Sequence, residues 1–150
     1  MIHIQINEKF QESLDEEKLQ ETALTVLKHL SISKDDEISV VVEDDEVIHA
    51  LNLEHLGIDK ATDVLSFPSR EKDPDSGQMY LGDVIISFET AKKQAKVMGH
   101  SVSEEVQLLL VHGCLHLMGY DHSEKEEKEK MWEIQERVLS SLGINIQATE

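Results

Sequence analysis

Three histidines fall within one eleven-residue stretch of this chain, His112-Gly113-Cys114-Leu115-His116-Leu117-Met118-Gly119-Tyr120-Asp121-His122. His112 and His116 are four apart, so on a helix they lie one above the other on the same face. One metal ion can meet both imidazoles there. Gly119 follows where a helix end commonly needs positive φ, and the returning chain can bring His122 to the same ion. Three neutral imidazoles without a fourth protein ligand leave a position open for water or substrate, the arrangement of a catalytic zinc site. The spacing H-x3-H-x5-H is also that of a long zinc-protease motif, whose general base is a Glu directly after the first His. Here that position is Gly113, which cannot take a proton.

Two carboxylates are candidates for orienting the ligands. Asp121 adjoins His122 and can hold a ligand imidazole or a water, since metal-bound histidines usually need such an acceptor; its other reading is a turn-forming Asp. Asp83 falls in mid-strand, where a carboxylate needs a partner, and is the weaker candidate. Cys114, two residues from His112, points to a different helix face and reads as a small core residue. No nucleophile-elbow, P-loop or dinucleotide pattern is present.

The elements that must position these residues follow from periodicity. Residues 1–6 alternate as a half-buried strand, and a helix is expected from about Asp15 to Leu30 with Leu19, Ala23, Val26, Leu27 and Leu30 as its stripe. Glu37 to Val42 is a β-branched strand. Asp44 or Asp45 can cap a helix through Leu53, which Gly57 ends. Val64 to Phe67 is a strand ended by Pro68, residues 69–78 a polar flap, and Tyr80 to Ser87 an antiparallel partner strand. A helix follows from about Glu89 to Met98. Ser101 with Glu104 forms a capping box for the helix from Val102 to Met118, which is apolar on most sides and should run through the protein centre. Ser123 with Glu126 caps a last helix striped by Met131, Ile134, Val138 and Leu142. The expectation is an α+β fold: one small, mostly parallel sheet of about four strands with one antiparallel strand, helices packed on it, and the His-bearing helix central.

At 150 residues the chain is read as one domain across 1–150. The net charge of −17, from 14 basic and 31 acidic residues, argues against broad electrostatic binding to nucleic acid or an anionic membrane. Local cations that can still hold a phosphate backbone are Lys60, Arg70, Lys72 and the run Lys92, Lys93, Lys96. The first twenty residues lack a signal-peptide core, and no apolar run is long enough to span a membrane. The single cysteine leaves no internal disulfide and fits a reducing cytosol. Nothing in the pattern speaks to oligomeric state.

The eleven-residue stretch resembles the H-G-x-L-H-L-x-G-Y-D-H signature of the YbeY family of bacterial metal-dependent endoribonucleases. LNLEHLGIDKATDVLSFP resembles that family's second block, and LGDVIIS with GHSVSEEVQLLLVHG resembles the approach to the histidine motif. The resemblance spans about residues 38–142. It implies a single-strand-specific endoribonuclease of ribosomal RNA maturation and ribosome quality control, with ribosomal RNA and the ribosome as partners and zinc-activated water as attacking group. It also implies His112, His116 and His122 as ligands of one zinc, with activity depending on His112; imidazole suits nickel and cobalt as well.

One departure stands out. The family's second block has Tyr-Arg where this chain has His55-Leu56, and that arginine is taken to bind or stabilise phosphate, which Leu cannot do. Either Lys60 or Arg70 substitutes, or the nuclease is weak. Ala61 in place of a proline is a lesser change. Two alternatives therefore stand beside the nuclease: a peptidase-like zinc hydrolase, and a zinc-stabilised ribosome-assembly factor with little catalysis.

Overall fold

The computed structural model describes residues 1–146. Its sheet has the order β1-β2-β4-β3, built from β1 (Ile2–Ile6), β2 (Glu37–Glu43), β3 (Val64–Lys72) and β4 (Met79–Ser87). β1, β2 and β4 run parallel, and β3 lies antiparallel at the edge beside β4. This is the α+β architecture expected. Helices α1 (Glu16–His29), α2 (Asp45–Leu56), α3 (Phe88–Met98), α4 (Val102–Leu117) and α5 (Lys125–Ser141) complete it, with a 3₁₀ segment at Glu8–Ser13.

The two faces of the sheet are used unequally. On one face Val40, Val42, Val84 and Ile86 join α1, α4 and α5 in a single large core. On the other, Ile85 and Leu65 form a small cluster with Ile48 of α2. α4 is the centre of the large core. Val106, Leu110, Val111, Cys114 and Leu115 are all buried, in agreement with its nearly all-round apolar sequence. Burial pushes the Cys114 thiol up to about 12, so it is an inert core residue.

The local signals explain most helix ends. The capping box forms as expected, with Ser101 Oγ accepting from the Glu104 N–H and the Glu104 carboxylate accepting from the Ser101 N–H. Asp44 accepts from the Val47 N–H at the start of α2. That helix runs to Leu56, one turn beyond the expected Leu53, and stops at Gly57 with φ 70°.

Two expectations are corrected. β3 does not end at Pro68 but continues to Lys72, with a register shift between Pro68 and Glu71. An edge strand tolerates proline because its missing N–H can face away from the sheet, and the flap shrinks to residues 73–78. The last helix is not capped by Ser123. It begins at Lys125 with Glu124 at its N-cap and no side-chain cap, so Ser123 falls one residue before the cap position, and its hydroxyl donates to Asp121 Oδ2 at 3.0 Å.

α4 meets the sheet at Gly113. A Cβ there would lie 2.6 Å from Val84 Cγ1 and 3.2 Å from both Ser66 Oγ and Val64 Cγ2. Ser66 Oγ donates to the Gly113 carbonyl at 2.9 Å, pinning the helix to β3. Val84 is β-branched and stiff at χ1, so it cannot swing aside cheaply. Alanine would gain about 1 kcal/mol of helix propensity, whereas overpacking a tight core costs about 1–3 kcal/mol. With an approach of 2.6 Å the cost falls toward the upper end of that range, so Gly113→Ala is expected to lower stability by up to about 2 kcal/mol net, read as a reduced midpoint in urea unfolding. An unchanged or raised midpoint would show that the helix and sheet can part without cost.

Candidate metal centre

His112 and His116 sit in the last turns of α4, which ends in a Schellman arrangement. The Gly119 N–H donates to the His116 carbonyl at 3.0 Å and the Tyr120 N–H to the Leu115 carbonyl at 3.0 Å. Gly119 has φ 92°, the left-handed conformation this reversal requires. The chain then folds back and delivers His122 to the two helical histidines. Asp121 builds the return: its Oδ1 accepts from the His122 N–H at 2.7 Å while its Oδ2 takes the Ser123 hydroxyl.

The three imidazoles converge. Ring centroids stand 4.6 Å apart for His112 and His116, 5.2 Å for His116 and His122, and 5.7 Å for His112 and His122. One ligand nitrogen from each lies within 4.8 Å of the others, and the Nε2 atoms of His112 and His116 are 3.0 Å apart. Two imidazoles at hydrogen-bond distance can share one proton between them, or both can turn to one metal ion. The group fits a metal: three borderline nitrogen donors on one small triangle are what zinc, nickel or cobalt takes.

Burial is graded across the triangle, with His112 buried, His116 half-buried and His122 exposed. The triad is thus closed at its base and open on the His122 side. Burial lowers the pKa of His112 below the ordinary 6.5, against an opposing pull from the Gln135 hydrogen bond and the Asp63 charge. His116 is lowered by burial and by the other two histidines, opposed by a backbone hydrogen bond with Tyr120. Both shifts favour the neutral imidazole, the form that ligates.

The remaining expected residues are placed as follows. Asp121 acts on the backbone at the turn, and its carboxyl is held below the usual range first by the His122 N–H and then by the Ser123 hydroxyl. Asp83 is not brought to the histidines. Its neighbour Val84 faces α4, and side chains alternate along a strand, so Asp83 lies on the other face. There the Tyr80 hydroxyl donates to it, with Ser39 Oγ 2.7 Å from the same hydroxyl. Lys60 and Arg70 are exposed; among the described residues no hydrogen bond or ion pair joins either side chain to the triad.

Three contributors were missed from the sequence. Gln135 of α5 is almost fully buried and accepts from His112 Nδ1 at 3.0 Å. A polar residue inside an apolar helical stripe was the available signal, since buried polar groups need partners. Asp63 raises the His112 pKa through its charge, and its carboxylate is fixed by the Val64 N–H at 2.8 Å and Gln94 Nε2 at 3.3 Å. Ser66 acts through the Gly113 carbonyl.

The fold is α+β, with two histidines on the buried helix and a third on the following turn forming a cluster that could hold a metal ion. A family profile described as Endoribonuclease YbeY matches residues 3–143. The chain belongs to that family. An endoribonuclease YbeY of Desulforamulus reducens is 44% identical, with 85% of this chain and 87% of that protein covered. One of Shouchella clausii is 40% identical over 96% of this chain and 97% of its own length. A Thermotoga maritima protein with a solution structure has a TM-score of 0.60 and 29% identity, over 95% of this chain and 92% of its own.

His116→Ala is expected to abolish stoichiometric metal in the purified protein, measured by elemental analysis after zinc loading and desalting. Retention of a full equivalent would show that the triad is not the metal site.

Proposed function

We propose that this protein is a single-strand-specific, metal-dependent endoribonuclease of ribosomal RNA maturation, working on the ribosome in the cytoplasm as a single hydrolase domain with one zinc per chain. The observation that supports it is the convergence of His112, His116 and His122 on one small triangle in a chain of the YbeY family. A zinc ion held there supplies Lewis acidity at a phosphoryl oxygen and a water of lowered pKa.

The chain's own residues divide the remaining work. His112 and His116, carried by one rigid helix, hold two ligand nitrogens at fixed separation, and His122 closes the triangle from the surface. The exposed His122 side is where a flexible RNA backbone can approach. A duplex is stiffer and holds its phosphates in fixed array, which favours single strands at a site recessed to the depth of His116.

Gly113 weighs against the peptidase alternative. A carboxylate directly after the first histidine would start from a Cβ already 2.6 Å from Val84 Cγ1, so this helix cannot carry that base without leaving the sheet. The assembly-factor alternative draws on two observations: the net charge of −17, and Leu56, which is 55% exposed where an arginine stands in the family's second block. A phosphate-bound transition state without a nearby cation carries uncompensated charge.

Metal-loaded protein incubated with single-stranded RNA, duplex RNA and casein, each with and without chelator, is expected to cut only the first, and only without chelator. Cleavage of casein, or of RNA in chelator, would overturn the reading. If no substrate is cut while zinc stays bound, the assembly-factor reading replaces it.

Leu56→Arg adds the missing cation on an exposed site. A charge-assisted contact to phosphate contributes about 1.5–3 kcal/mol, or roughly 10–150-fold in rate when made only in the transition state. Cleavage of single-stranded RNA by the variant is expected to rise at least about tenfold with zinc content unchanged. No increase, with wild type already cutting well, would mean that Lys60, Arg70 or another cation fills the role.

A further inference from the structure

Among the described residues, His112 is the one member of the triad whose second ring nitrogen meets a buried side chain from another helix. Its Nδ1 lies 3.0 Å from Gln135 Oε1. Gln135 is 1% exposed and His112 7%, so neither group has water as an alternative partner. A carboxamide oxygen only accepts, so the Nδ1 facing it must carry the proton. A neutral imidazole has one N–H, which leaves Nε2 as the lone-pair nitrogen, and that atom faces His116 Nε2 at 3.0 Å. We infer that Gln135 is a positioning residue of the metal centre: it sets the tautomer and ring orientation of His112, presenting Nε2 to the metal before any metal arrives.

The packing of α5 supports the assignment. Met131, one turn before Gln135, and Val138 and Leu139, one turn after, are fully buried against the core. The carboxamide is therefore carried on a helix that cannot shift without exposing three apolar side chains. A residue without an acceptor at this place would leave the buried Nδ1–H unsatisfied or force the imidazole to flip. Asp121, adjacent to His122 in sequence, spends both carboxylate oxygens on the turn, so among these groups it is Gln135 of α5 that orients His112.

The inference rests on the metal reading for its purpose, but its first test does not. Long-range proton–nitrogen NMR of the metal-free full-length protein reads the His112 tautomer directly. Wild type is expected to show a protonated Nδ1 and an unprotonated Nε2; the opposite tautomer in wild type would overturn the assignment. Gln135→Met removes the acceptor at similar volume and is expected to mix or invert the tautomer and to weaken zinc about 10–100-fold in competition with a chromophoric chelator. Gln135→Glu keeps an acceptor in place and is expected to retain both the tautomer and zinc binding at wild-type level or tighter. A Gln135→Met protein with the wild-type tautomer and zinc affinity within twofold would overturn the role. Should Gln135→Met fail to fold, the wild-type tautomer and the Gln135→Glu affinity decide between the outcomes. Failure of wild type to bind zinc at all would instead remove the metal reading, leaving the tautomer measurement to judge Gln135 alone.

Discussion

A side chain at position 113 would begin 2.6 Å from Val84, and the only residue that avoids this is glycine. That contact sets how close α4 lies to the sheet, and the site depends on the closeness. It buries His112 at the foot of the helix and places Ser66 against the following carbonyl. From the other side of α4, α5 brings Gln135 to His112 Nδ1. The glycine that denies the chain a protease-type base is therefore the same glycine that lets the helix sit deep enough to bury a ligand.

A second constraint is the turn. A helix supplies two ligands at i and i+4 on its own, but the third must come from outside it. Gly119 in the left-handed region and the two Schellman hydrogen bonds reverse the chain within a few residues. Asp121 then stiffens the return by accepting from the backbone of the third ligand. The centre is thus part rigid and part surface-built, and its graded burial follows from that construction. Burial at the helical base lowers the pKa values of His112 and His116, while the turn leaves His122 exposed.

The charge of the chain makes local geometry matter more than its overall field. With net charge −17 a polyanion is not drawn in from a distance. Contact with RNA then depends on short-range groups rather than on the overall field. Leu56, 55% exposed, ends α2, whose buried Ile48 packs with Leu65 and Ile85 on the sheet face away from α4.

Much of this was legible in the chain itself. The histidine spacing, the capping box at Ser101, the buried character of α4 and the alternating strands are local patterns with periods of 3.6 and 2, and each survives in the fold. The strand at Val64 was legible in its core but not in its length, because whether a proline ends a strand depends on which edge it faces. That is decided by the sheet order. The cap of α5 was misread because the tertiary turn fixes where that helix begins: it starts at Lys125, which leaves Ser123 one residue before the cap position. Gln135, Asp63 and Ser66 lie 23, 49 and 46 residues from His112 by subtraction of their numbers. No short-range pattern joins them to it. Local periodicity determined the three histidines' spacing and the elements that carry them; the tertiary packing of α5 against α4 decided what His112 Nδ1 faces, because hydrogen-bond partners distant in sequence meet only through burial.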